Sequence, residues 1–262
     1  MIETGLWFNG QHSKHFDLLV TRMDSGLIPL NTAHSRKINT HTLMNPDVKR
    51  LNKIENEVLN FKISLTPVKR IVDDNFKDQL LTWLMLDDYA PLIFDDNVNK
   101  TYNAIVTEQM IFNTNTAGVG YFDITFTSDS PWAYTPTTRY ILNRDGAIQA
   151  DPPVLSIFNT SLPVKKYYPI MLIKNKLAAK ATIKVEDIKG NSHIMEFEDL
   201  QPGEELFIDN FKNIIFSTAE GSFPYHRFNK QWLSLNKGMN KITLLEGDAE
   251  VIFECRFILY SH

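Results

Sequence analysis

Cysteine is almost absent: Cys255 is the single one in 262 residues. That count excludes an intrachain disulfide and any Cys-x-x-Cys zinc site. It fits a reducing setting, or a fold that needs no covalent staples. An excess of charge is also lacking. The formal net charge of −4 leaves no basic footprint for nucleic acid and no polybasic membrane patch. No apolar run approaches the roughly 18 residues of a membrane span. The opening "MIETGLWFNGQHSKHF" has no charged region followed by an apolar core. No secretory signal is therefore expected, and synthesis in a cytoplasm is.

The sequence patterns of common chemistry are missing as well. There is no G-x-S-x-G elbow and no P-loop or G-x-G-x-x-G behind a strand. The seven histidines are scattered, and no pair has the H-E-x-x-H spacing of a helical zinc site. His12 and His15 flank a turn. Cys255 sits in an alternating strand pattern with Val251, Phe253 and Phe257, the setting of a small core residue. No catalytic residue, metal or cofactor is expected, and no enzyme.

What the chain does hold is strands. The 43% hydrophobic fraction suffices for one large core or two smaller ones. Asn9-Gly10 in "GLWFNGQHS" is a two-residue hairpin turn. "ENEVLNFKISLTP" alternates apolar and polar residues as a half-buried strand does, and "KTYNAIVTEQMIF" and "GVGYFDITFTSD" read likewise. One segment breaks the pattern: Phe76, Leu80, Trp83 and Leu84 recur on a single helical face, with Asp73 or Asp74 to cap it and Pro91 beyond it.

From Asn31 to Lys53 the chain is polar and basic, with His34, Arg36, Lys37, His41, Lys49 and Arg50. This reads as an exposed hairpin or loop. Pro136, Gly146, Pro152 and Pro153 mark a boundary, which divides the chain into 1–145 and 146–262. Beyond it, many short strands, "KQWLSL" among them, separated by turns such as Gly190-Asn191, Pro202-Gly203 and Gly247-Asp248 indicate a β-sandwich.

Two features invite a functional reading. The doublets Asp73-Asp74, Asp87-Asp88 and Asp95-Asp96 could hold a metal. However, "DDNVNKTYNAIV" lacks the mid-loop Gly and closing Glu of a calcium loop, and adjacent strand residues face opposite ways. A turn and a helix cap are the simpler roles. Phe223, Tyr225, His226 and Trp232 in "GSFPYHRFNKQWLSL" could form a sugar platform, or could simply pack in the core.

"LTWLMLDDYAPLIFDDNVNKTYNAIVTEQ" and "GYFDITFTSDSPWAY" resemble the distal tail protein (Dit) family of long-tailed, non-contractile phages. Trp83-Leu84, the run Leu92 to Asp96, Tyr102, Ala104, Gly120, Asp129, Pro131 and Trp132 to Tyr134 carry the resemblance. "IFNTSLPVKKYYPIMLI", "LQPGEELFIDN" and "WLSLNKGMNKITL" resemble the C-terminal half of the same family. The stretch from Asn31 departs from it: the Pro-Gly-Arg-x-Gly-like element of many relatives is replaced by His34-Ser35-Arg36-Lys37.

The resemblance implies a mainly β protein: a sandwich-like ring domain with one α-helix, then a galectin-like β-sandwich. It also implies a virion scaffold at the tail tip rather than an enzyme. By the same resemblance the first domain forms a hexameric ring that continues the tail tube protein. The ring docks a tail-associated, fibre- or lysin-like protein and surrounds a channel for the tape measure protein, with DNA only as passing cargo. The basic excursion from Asn31 becomes an inter-subunit arm, and the sandwiches carry receptor-binding proteins. The alternative is a carbohydrate-binding module that touches the host surface through the C-terminal sandwich.

Overall fold

The computed structural model describes residues 5–21, 35–42, 49–68, 72–114, 120–144, 151–162, 165–221 and 223–260. The chain forms two compact units, Met1–Thr135 with Tyr260–His262, and Pro136–Leu259.

The first unit opens with β1 (Leu6–Phe8), β2 (Gln11–His12) and β3 (Leu18–Thr21). A hairpin of β4 (Arg36–Thr42) and β5 (Lys49–Asn56) follows, then β6 (Asn60–Pro67) and helix α1 (Asp74–Leu84). After them come β7 (Ala90–Phe94), β8 (Thr101–Val106), β9 (Ile111–Thr114), β10 (Gly120–Ser128) and β11 (Ala133–Tyr134). Asn9 and Gly10 both have positive φ, 48° and 73°, as the expected two-residue turn requires. Asp73 is the helix cap, its carboxylate accepting from Phe76 N at 2.8 Å.

One antiparallel sheet runs β2-β1-β7-β8-β10-β6-β3, with β9 on β10 and β11 on β8. It is curled rather than flat. The Phe8 and Phe126 rings lie 4.9 Å apart although β7 and β8 separate their strands. In a flat sheet three strand spacings would hold them about 14 Å apart. Phe61 and Phe94 close the same way, at 5.6 Å. The expected sandwich-like domain is thus achieved by bending one sheet over its own apolar face. Leu6, Phe8, Leu92, Tyr102, Ile63, Leu65, Ile124 and Phe126 line that face, and α1 adds Phe76, Leu80, Trp83 and Leu84. Trp83 stacks on Phe16 at 4.6 Å and donates its indole N–H to Phe8 O at 2.9 Å. This bond satisfies the one polar atom of a buried tryptophan.

The second unit is a two-sheet sandwich. Its strands are β12 (Thr138–Asn143), β13 (Val154–Asn159), β14 (Lys166–Tyr167), β15 (Ile170–Asn175), β16 (Ala181–Asp187) and β17 (Ser192–Phe197). They continue as β18 (Glu205–Asp209), β19 (Ile214–Ser217), β20 (Leu235–Asn236), β21 (Gly238–Glu246) and β22 (Ala249–Cys255). One sheet is β12-β22-β15-β18-β19, the other β13-β21-β16-β17, and β14 pairs with β20. β12 precedes the boundary expected near residue 145, yet it pairs along its whole length with β22. Met171, Ile173, Leu206, Ile208, Val251 and Phe253 of the first sheet meet Ile157, Ile183, Val185, Phe197, Ile242 and Leu244 of the second in one core. Cys255 lies in it, fully buried, and burial pushes its thiol up to about 12.

The expected strand through "KQWLSL" is a correction. Residues 229–234 form no strand, because side chains occupy their backbone. Gln231 N donates to Asn229 Oδ1, Leu233 N to Asn210 Oδ1 and Ser234 N to His193 Nε2. The turn from Leu235 to Asn240 has a similar cause. Buried Asn240 accepts from Asn236 N and donates to Asn236 O and Gly238 O, while Gly238 takes a φ of +94°.

Candidate assembly surfaces

The aspartate doublet at 95–96 is divided by the fold. Asp95 Oδ2 accepts the Gly5 amide at 2.9 Å, and both carboxylate oxygens lie 3.0 Å from His12 Nε2. His12 Nδ1 accepts the Lys14 amide at 3.0 Å, so that nitrogen is bare. The ring proton therefore sits on Nε2 and is donated to Asp95. Trp7 packs edge-on against the same imidazole at 4.8 Å. A Cβ on Gly5 would lie 2.5 Å from the His12 ring and 2.6 Å from Asp95 Oδ2, so a larger residue would push the two side chains out of their present contact. Asp96 is exposed. The pair is a clasp between the first hairpin and the corner after β7. The 83 positions between His12 and Asp95 keep the pair from showing in any local pattern of the sequence. Among the described residues no three His, Cys, Asp or Glu side chains gather as a metal-binding group.

The basic excursion contains a two-stranded hairpin, β4 against β5, with Ile38 opposite Ile54 and His41 opposite Arg50. His34 lies outside the described residues. Strand alternation and the register give the hairpin two unlike faces. Ile38, Leu51 and Ile54 share one face with Arg36 and Thr40, while Lys37, His41, Arg50 and Lys53 share the other with Glu55. Lys49 stands opposite Thr42 at the far end. None of the described hairpin side chains is buried, and Ile38 is 61% exposed.

Part of the outward face of the curled sheet, over β6, β8 and β10, is knitted by polar side chains. Asp123 accepts from Ser64 at 2.6 Å and from Asn113 at 3.0 Å, and Thr125 donates to Glu108 at 2.6 Å. Thr127 joins Thr107 and Asn60, and Asn103 donates to Asp129 at 2.7 Å.

In the sandwich, the aromatic group proposed from sequence is only partly assembled. Phe223 is 74% exposed and its ring lies 6.2 Å from that of His226, which is also exposed. Tyr225 is exposed on one side, but its hydroxyl accepts from Ile215 N and donates to Asn213 O. Trp232 is half-buried against Phe228 at 4.9 Å. Nearby, Glu204 is fully buried and held by Arg227, Ser217 and Gln201 N. Burial pushes its carboxyl up, but the Arg227 hydrogen bonds, the Gln201 amide and Ser217 outweigh it and hold the group below its ordinary value.

Both units match phage tail families over their length. The phage tail protein N-terminal domain matches residues 2–130 and the phage tail C-terminal domain residues 149–255. The chain belongs to the phage tail proteins. It is 23% identical over 256 residues to an uncharacterized SPbeta prophage-derived protein, YomH, of Bacillus subtilis strain 168, a match covering 95% of each chain. The SPP1 Dit protein, a hub of the adsorption apparatus in phages of Gram-positive bacteria, superposes with a TM-score of 0.67 at 13% identity. That match covers 97% of this chain and 99% of the other. A chain of the phage P2 baseplate in its calcium-activated conformation gives 0.54 at 12% identity over 97% and 98%. The chain therefore has the distal tail protein fold in both units, and it is a component of the phage tail.

Proposed function

We infer that this tail protein is the structural hub of a long-tailed phage tail tip. Its first unit forms a ring, a hexamer, that joins the tail tube to the tail-associated protein and leaves a channel for the tape measure protein and DNA. Its sandwich carries receptor-binding or accessory proteins. It acts by assembly, not by catalysis. The carrying observation is the match to the SPP1 hub protein along both units rather than one.

Three features of the chain support the reading. An isolated two-stranded hairpin is marginal in water, so β4–β5, with its uncovered aliphatic face, is suited to reach a neighbouring copy. Arg36, Lys37, His41, Lys49 and Arg50 fit that arm. A ring of identical contacts pairs two different patches on each subunit, and the arm supplies one of them. On the outer face of the curled sheet Asp123, Glu108 and Asp129 outnumber Lys62, a balance that suits a surface past which DNA slides, because an excess of positive charge would bind phosphate.

Light scattering across a concentration series tests the ring. The expected species is about 181 kDa, six times the 30.2 kDa chain. Replacing Ile38 and Ile54 by Asp should abolish it without changing the melting of the sandwich. A chain that stays monomeric at every concentration, and with the purified tail tube and tail-associated proteins added, overturns the reading. Exposed Phe223 and His226 favour a second reading, glycan binding by the sandwich. A glycan array with wild type and Phe223→Ala distinguishes the two.

A further inference from the structure

The net charge of the chain is −4, yet one end of the sandwich is basic. The stretches 165–169, 187–191, 209–213 and 235–238 meet there with Arg256. Lys237 N donates to Lys165 O, and Lys166 stands opposite Asn236. Asn236 Nδ2 donates to Asp187, whose turn carries Lys189. Asn210 Nδ2 donates to Pro169 O, which brings in the turn with Lys212, and Arg256 N donates to the Tyr167 hydroxyl. Lys165, Lys166, Lys189, Lys212, Lys237 and Arg256 stand there against Asp187 and Asp209, six cations to two carboxylates. The five lysines are all exposed.

The strand ends beside these stretches do not offset the excess. Glu254 pairs with Arg139 and Glu186 with Lys184, and Lys241 stands opposite Glu186 as a further cation. The two carboxylates of the cluster are engaged by the fold. Asp187 accepts from the Lys189 and Asn191 amides and from the Asn191 and Asn236 side chains. Asp209 accepts from the Phe211 and Lys212 amides. Lys212 Nζ lies 3.9 Å from Asp209, so Lys165, Lys166, Lys189 and Lys237 are the cations most open to a ligand. Gathering like charges costs self-repulsion, and it draws counter-charge to the site.

We propose that this end of the sandwich binds an anionic polymer of the host envelope, one whose repeat joins polyols or sugars through phosphodiesters. Lysine suits such a ligand. Its ammonium is a compact, hydrated point charge, whereas a planar carboxylate is better held by the fork of arginine. Protein interfaces are depleted of lysine, so an acidic protein is the poorer fit. Phe211, 74% exposed, lies on the same end with its ring 6.1 Å from that of Tyr168, an apolar surface for the uncharged part of the repeat. Nucleic acid shares the phosphodiester. However, the two rings are inclined at 60° and form no parallel platform for successive bases.

The proposal rests on the hub reading for the host-facing role of the sandwich. The test is fluorescence anisotropy of labelled poly(glycerol phosphate) with the full-length chain. The polymer should bind at low salt. Each phosphate contact contributes roughly −0.7 to the salt slope of a single-stranded polyanion, so four lysines predict a loss on the order of 50-fold between about 50 and about 200 mM salt. Lys166→Gln with Lys189→Gln and Lys237→Gln should weaken binding roughly tenfold or more and flatten the slope toward that of one contact. Lys14→Gln with Lys77→Gln, exposed lysines of the first unit, should leave affinity within about twofold, as for charges outside the contact. Thermal melts confirm the fold of each variant. Undiminished binding by the triple variant overturns the proposal, as does a wild type that fails to bind the polymer at low salt. A single-stranded oligonucleotide of equal charge that binds more tightly than the polymer assigns the site to nucleic acid and overturns it too. So does an acidic tail-tip protein that binds through these lysines while the polymer does not. The assay reads the chain in any oligomeric state. Its failure leaves the hub reading standing, and a missing ring leaves the assay intact.

Discussion

Replacing Glu204 by Gln should cost the sandwich about 3 kcal/mol. The wild-type carboxylate receives only donors: Arg227 through two nitrogens, Ser217 Oγ and Gln201 N. A glutamine of the same shape must turn its NH2 toward one pair of them. It also leaves the Arg227 guanidinium, 15% exposed, without its counter-charge. Breaking a buried pair from one side costs about 3–5 kcal/mol, and the partial hydration of Arg227 argues for the lower end. For a unit of this size that is a fall of about 10 °C or more in Tm. Differential scanning calorimetry of the full chain should show the sandwich transition lowered. Glu204→Met with Arg227→Met should recover most of the loss, because removing both charges removes the unpaired one.

The pH dependence has a fixed sign. Glu204 is held below its ordinary 4.5 in the fold. Its contribution is therefore complete above the unfolded value and lost as pH falls through the folded one. The gap between wild type and Glu204→Gln should be full at neutral pH and narrow as pH falls below about 4.5. A variant that melts within about 1 °C of wild type at pH 7, or a gap that widens in acid, refutes this account.

Other outcomes follow from the first unit. Asp95→Ala should destabilise by about 1–3 kcal/mol, by stranding the Gly5 amide and the His12 ring proton. Asp96→Ala should stay within about 0.5 kcal/mol in chemical denaturation. Trp83→Phe should cost about 1 kcal/mol for the lost indole hydrogen bond, and Trp83→Ala about 3–5, read from urea midpoints. In Gly120→Ala the new Cβ would lie 1.8 Å from Asn113 O, a backbone atom that can yield only by parting β9 from β10. Faster amide exchange across 111–114 should report it, with a loss of about 1–3 kcal/mol.

The local elements were legible in the sequence because their causes are local. Asn9-Gly10 needs two positive φ values, and α1 needs a cap and a 3.6-residue apolar period; both lie within a few residues of one another. The curl of the first sheet was not legible, since Phe8 and Phe126 meet only after β7 and β8 have bent between them. The strand expected at "KQWLSL" failed for a related reason. Its backbone donors are taken by Asn210 and His193, distant side chains that no window on the segment contains. The basic end of the sandwich gathers its lysines from separate stretches of chain. A net charge of −4 hides it, because a sum over the chain does not say where the charges meet.

A tail component is built in the reducing interior of a cell and does its work outside. Disulfide chemistry begins with an accessible thiolate. The lone Cys255 is fully buried, and with its thiol pushed up to about 12 it offers almost none at neutral pH. The chain then gains no disulfide on either side of lysis. Particles left in oxidising surroundings should age by other routes than cross-linking or thiol exchange.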